Sequence, residues 1–190
     1  MVPRITFAFA ARTLVSATLF ASLMPAGVLA QTASDAAALT VFADRLDHYT
    51  RLRERLEEPL PPFDDRRGAW PVMLTRRYLA SAVRAARPKA GPGAIFTPPV
   101  ADMFRRLISH RLSEVDPEGL SGWDEDLGVE VVVHEPVPAW SRLKVPDEFL
   151  RLFPPLPDGI EYRMVNSALV LWDAHAEIVV DVLPAVFMAR

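Results

Sequence analysis

Cysteine is absent from this 190-residue chain. That excludes a disulfide framework, a thiolate metal site, a cysteine nucleophile and a lipid-attachment cysteine. Lysine is scarce: 19 of the 21 cationic residues are Arg, and only Lys89 and Lys144 are Lys. Asn166 is the sole Asn and Gln31 the sole Gln. Past the first thirty residues no segment reaches the ~20 apolar residues that span a bilayer. The formal net charge of −3 argues against a nucleic-acid binder driven by phosphate neutralisation. Hydrophobic residues make up 51% and charged residues 24%, a balance that supports a folded core. The length suits one domain.

Residues 1–30 read as a secretory signal peptide. Arg4 and Arg12 supply a positive start, and an apolar stretch runs from Leu14 to Met24. Pro25 and Gly27 then precede Val28-Leu29-Ala30, where small residues at −3 and −1 fit a cleavage site. The expected cut lies between Ala30 and Gln31. An N-terminal membrane anchor is the other reading of the same residues. Cleavage removes two Arg and no acid, leaving 19 cations against 24 acids, a net charge of −5 on residues 31–190. Arg- and Ala-rich usage with little Lys or Asn suggests a bacterium with a GC-rich genome. The expected address is the periplasm or the medium.

Sixteen of the 18 prolines fall in residues 31–190, twice the usual share of about 5%, and they punctuate the chain. The pattern predicts an α+β fold in one mature domain, 31–190: helices over 35–112, a Pro-rich middle over 113–157 and a β-meander over 158–187. A first helix is predicted over 35–57, with Leu39, Phe42, Leu46, Tyr49 and Leu56 on its apolar face. Pro59, Pro61 and Pro62 end it. A second is predicted over 72–87, with Tyr78, Leu79, Ala82, Val83 and Ala86 inward. Arg76, Arg77, Arg84 and Arg87 fall in one quadrant of its opposite side. They form either an anion or acidic-lipid patch, or a solvated face paired with nearby acids. No aromatic interleaving for stacking on bases accompanies them.

Thr97 is placed as N-cap of a third helix, followed by Pro98 where no N–H is missed. Val100, Met103, Phe104, Leu107 and Ile108 form its core face, and Arg111 projects near its end. Arg111 either snorkels beside the last carbonyls or binds an anion. Residues 113–128 read as a polar loop and Val129 to His134 as a strand. A short helix is predicted from Pro146 to Phe153. Three alternating runs, from Ile160, from Leu169 to Asp173 and from Ile178 to Leu183, predict a three-stranded antiparallel meander. The helices are its natural cover, since three strands alone are marginal.

Two segments carry a resemblance. Ala94-Ile95-Phe96-Thr97-Pro98-Pro99-Val100, running into Phe104-Arg105-Arg106-Leu107-Ile108, resembles a family of uncharacterised bacterial exported proteins. So does Leu156-Pro157-Asp158-Gly159-Ile160-Glu161-Tyr162-Arg163 with Leu169-Val170-Leu171 and Ile178-Val179-Val180-Asp181. The likeness extends over most of residues 40–187 and implies export without implying an activity. The tail alone is similar to the small β-module of periplasmic nickel and cobalt homeostasis proteins. No ligand residues come with that motif, so it implies the meander and the periplasmic address, not a metal.

Motifs for chemistry are sparse. His48, His110, His134 and His175 are isolated from one another, without the H-E-x-x-H spacing of a zinc helix. His48 points away from the first helix's apolar side, and His175 sits in a turn. Asp124-Glu125-Asp126 invites a calcium loop, and Glu135 fits its twelfth position. Val129, however, stands where the loop requires glycine. Ser121, in Gly-Leu-Ser-Gly, lacks the G-x-S-x-G spacing. No phosphate-cradling glycine motif occurs, and the adjacent acids Asp64-Asp65 and Glu57-Glu58 read either as a glycosidase pair or as solvated loop acids, the latter being usual for neighbours in sequence. No catalytic, cofactor or metal residue is assigned. The expectation is a non-enzymatic periplasmic binding or accessory module. Its partner would be a periplasmic protein or small ligand, with no nucleic acid and no stable membrane insertion. The alternative is a small periplasmic hydrolase whose site sequence order hides.

Overall fold

The computed structural model describes residues 26–63, 66, 68–112 and 127–186, with side chains from Gln31 onward. Helix α1 spans Ala26–Glu57. It starts nine residues before the expected Asp35 and runs through the expected cleavage point. The run Ala33, Ala36, Ala37, Ala38 favours helix, and Gln31 and Arg51 add i,i+4 contacts to Asp35 and Asp47. Its buried stripe is Ala38, Phe42, Leu46, Tyr49 and Arg53. Leu39, expected inside, is 40% exposed, because the buried stripe starts at Ala38 and runs by three- and four-residue steps through Phe42 and Leu46, which leaves Leu39 at its edge.

Helix α2 spans Ala69–Ala86, and it buries Val72, Thr75, Leu79 and Val83. Tyr78 is not on this face; it is 64% exposed, as is Trp70. Ala86 is exposed too. Helix α3 spans Pro98–Leu112 and buries Val100, Ala101, Met103, Phe104 and Ile108. Thr97 stands at its cap position, and its carbonyl accepts the Ala101 N–H at 2.8 Å. Its hydroxyl is buried without a partner. Pro99, two residues on, has no N–H to offer it.

The strands form a four-stranded antiparallel sheet in the order β1-β2-β3-β4, one strand more than expected. The addition is β1, Leu143–Lys144, which pairs with Met164 and Arg163 of β2. Between β1 and β2 lies α4, Asp147–Leu150, shorter than the expected run to Phe153. Strands β2 (Ile160–Val165), β3 (Ala168–Asp173) and β4 (Ile178–Leu183) fall where the alternation places them. Asn166 takes φ 53 in the β2–β3 turn, a conformation Asn tolerates. Its side chain accepts the Leu127 N–H at 3.1 Å and donates to the Val129 carbonyl at 2.9 Å.

The helices cover the inner face of the sheet. Tyr162, Met164, Leu169, Leu171, Ile178, Val180 and Leu183 join the helical side chains in one core. Phe104 is its hub, within 5.1–6.0 Å of the rings of Phe42, Phe96, Phe153 and Tyr162. The outer face is also buried. Val165, Val170, Trp172, Val179 and Val182 pack with Val133 and Val137, and the Arg142 guanidinium lies 4.0 Å from the centroid of the Trp172 ring. The expected strand over 129–134 is therefore a loop laid across the sheet. Its end is held to β4 by two backbone hydrogen bonds, His134 N–H to the Val179 carbonyl and Val179 N–H to the carbonyl of the adjoining Glu135. The left-handed φ of 70 at His134 prevents it from continuing as a strand.

Candidate functional site

Three polar arrangements stand out, and they differ in whether their charges are already satisfied. The first is the buried network between α1 and the β3–β4 turn. The Tyr49 hydroxyl donates to Asp173 at 2.6 Å. Asp173 also accepts the backbone N–H groups of His175 and Ala176 at 2.8 and 2.9 Å. Arg53, buried beside it, lies 3.9 Å from Asp173 and 4.0 Å from Glu57, and donates to the Asp158 carbonyl at 2.9 Å. Burial, then the Asp173 carboxylate, push the Tyr49 hydroxyl well above its usual range, so it remains a donor.

His175, expected as a solvated turn residue, belongs to this network. Its Nδ1 lies 3.0 Å from Glu57, and its ring is 5.3 Å from that of Phe63. Gly159, at φ 74, faces it so closely that a Cβ there would stand 2.7 Å from Arg53 Nη1 and 2.8 Å from the imidazole. The contacts tie the turn, the loop before β2 and α1 together, and every acid in it already has a partner. It is a latch.

The second arrangement is a cleft of about 500 Å³ between α2 and the edge of β4. It holds three of the four arginines singled out on α2. Arg76 pairs with Glu177, and Arg84 pairs with Glu135 at 3.0 Å and donates to the His134 carbonyl at 2.9 Å. Arg77 stays exposed. The quadrant is thus divided, with Arg76 and Arg84 committed to acids of the chain itself.

Arg87 turns the other way, into the third arrangement, a groove of about 610 Å³. One wall is α1, where Val41, Arg45 and His48 share a side at helical spacing. The other is the connection from α2 to α3, carrying Arg87, Pro88, Lys89, Ala90, Ala94 and Ile95. The Arg87 guanidinium sits 4.9 Å from the centroid of the Tyr49 ring, and its Nη1 reaches His134 Nε2 at 3.3 Å and the Val180 carbonyl at 3.4 Å. Burial lowers its pKa, against the pull of Tyr49 and Asp181. Arg45 donates to the Ala94 carbonyl at 3.1 Å. Among the described residues, Arg45, Arg87 and Lys89 make no ion pair, and Asp44 is the only acid lining the groove.

The second wall is held from inside the sheet. Asp181 is fully buried on β4, and its carboxylate accepts the N–H groups of Gly93, Ile95 and Phe96 at 2.8, 2.6 and 2.6 Å. Gly93, at φ 85, lets the backbone curl around that carboxylate.

Of the residues marked in the sequence, the groove collects His48 and Arg87. His110 lies exposed on α3 and Arg111 is half-buried near its end. His134 is buried beside Arg87, with its pKa pushed down to about 4 by burial, Arg87 and Arg84. The calcium-loop residues Asp124, Glu125 and Asp126, together with Ser121, Asp64 and Asp65, lie outside the described residues. Among the described residues no cluster of three or more His, Asp or Glu could hold a metal, and no helix is long and apolar enough to cross a membrane. Arg45 and Lys89 carried no sequence signal of their own. They lie 44 residues apart, and only the packing of α1 against the α2–α3 connection joins them. The chain matches no protein-family model, no curated protein and no solved structure.

Proposed function

We propose that the chain is an exported bacterial protein whose mature part, after cleavage between Ala30 and Gln31, is a non-enzymatic periplasmic binding module for a small anionic ligand. The observation that carries the ligand class is the groove lined by Arg45, Arg87 and Lys89, three cations that form no ion pair among the described residues. Elsewhere on the same surface Arg76, Arg84 and Arg106 are each matched to an acid. A partly desolvated guanidinium such as Arg87 gains from an incoming anion, and a fixed wall reduces the ordering cost of binding. No reaction is assigned to the site.

The full chain, expressed and purified from a bacterial periplasm, tests both parts. Its N-terminal residue is expected to be Gln31; retention of Met1 in a membrane fraction contradicts the address. A thermal-shift panel of small anions and their neutral analogues is expected to give stabilisation by anions only, weakened about tenfold in Arg45→Gln/Lys89→Gln. Stabilisation by the neutral analogues alone, or no effect of the double substitution, contradicts the ligand class.

A further inference from the structure

The α2–α3 connection has the make-up of an anion cradle. Gly91 and Gly93 lie within it, and the N–H groups of Gly93, Ile95 and Phe96 converge on one carboxylate, as in loops that hold phosphate. That carboxylate is Asp181. The protein's own carboxylate consumes these donors, so an oxyanion in the groove meets none of them. The groove's side chains then offer a ligand positive charge and hydrocarbon.

Arg45 and Lys89 are exposed at the rim, whereas Tyr49 and Ile95 are 2% and 1% exposed and lie at the base, with the half-buried Arg87 against the Tyr49 ring. Val41, Ala86, Pro88 and Ala90 extend the apolar surface between them. The volume of about 610 Å³ is in the range of pockets that hold organic ligands, roughly 300–1,000 Å³. An inorganic anion would leave that apolar surface wet. A ligand with a hydrocarbon body removes it from water, which is favourable in proportion to the area covered.

We infer, resting on the anion-binding reading above, that the groove takes a small organic carboxylate with an apolar body, of the medium-chain fatty-acid type. The carboxylate meets Arg45, Arg87 and Lys89 while the chain lies along Val41, Ala90 and Ile95.

Calorimetric titration of the full chain with octanoate, octanol, acetate and inorganic phosphate tests this. Octanoate is expected to bind at least about tenfold more tightly than each of the other three. Arg45→Gln/Lys89→Gln, both at exposed positions, is expected to weaken octanoate about tenfold while the protein keeps a single cooperative melting transition. If acetate or phosphate matches octanoate and the double substitution weakens all of them, the apolar-body inference falls and the anion groove stands. If octanol matches octanoate, or the double substitution leaves octanoate binding unchanged, both fall. If octanoate does not bind, the inference falls, and the anion panel alone decides the wider reading.

Discussion

Asp181 on β4 accepts the backbone N–H of Ile95 at 2.6 Å, so a fully buried strand residue fixes one wall of a surface groove. Hydrogen bonds to a charged group contribute about 1.5–3 kcal/mol each, and Asp181 accepts from Gly93, Ile95 and Phe96 together. Asp181→Asn turns an acceptor into an NH₂ facing other donors. It is expected to destabilise the fold by at least about 2 kcal/mol in chemical denaturation, and to remove amide-exchange protection at Ile95 and Phe96. Retained protection at both amides contradicts the anchoring role.

Tyr49 bridges the groove and the latch, since its ring lines the former and its hydroxyl donates to Asp173 in the latter. Tyr49→Phe keeps the ring and leaves a buried carboxylate one donor short. The expected cost is about 1–3 kcal/mol, with anion affinity in the groove retained. A loss of affinity larger than the loss of stability would place the hydroxyl in ligand binding.

Gly159→Ala forces a side chain into a left-handed backbone position, which costs roughly 1–2 kcal/mol. It also drives a methyl group into Arg53 and His175. The variant is expected to lose more than that strain alone, because the Arg53 hydrogen bond to the Asp158 carbonyl is displaced as well. His175→Ala, which removes the imidazole from Glu57 and Phe63, is expected to cost about 1 kcal/mol, more than a solvated turn residue would. Denaturation midpoints of the two variants decide whether the latch holds the turn.

His134 gives the fold an acid-sensitive term. Its folded pKa is held down at about 4 by burial and by Arg87 and Arg84, against about 6.5 in an unfolded chain. Between these values the unfolded state binds the extra proton. The contribution is therefore fully present above pH 6.5 and is lost as the pH falls to about 4. His134→Asn, which accepts the left-handed backbone, is expected to flatten the stability profile across that window. An unchanged slope between wild type and variant contradicts it.

The alternation of Ile160, Tyr162 and Met164 and the runs at 169–173 and 178–183 were enough to place three strands, because each has one face on the helices. The fourth was not legible. Leu143 and Lys144 form a strand of only two residues, too short for any period to show, and they pair because β2 offers an edge. The valines at 129, 131 and 133 mimic a strand, yet they serve to cover Val170, Trp172 and Val179. Tyr78 misleads in the other direction, because helical spacing alone does not say where the buried stripe ends. The groove was half legible: Arg87 is marked by its place among the arginines of α2. That it departs from them depends on the turn after Ala86 and on the distant Tyr49 ring, which no local pattern encodes.

The most direct test follows backbone amide shifts of the full chain while the strongest anion of the panel is titrated in. Shifts confined to residues 41–49 and 86–95, lost in Arg45→Gln/Lys89→Gln, are the predicted result. Shifts centred instead on Arg76, Arg77 and Arg84, or no saturable shift with any anion, would contradict the assignment of the groove as the binding site.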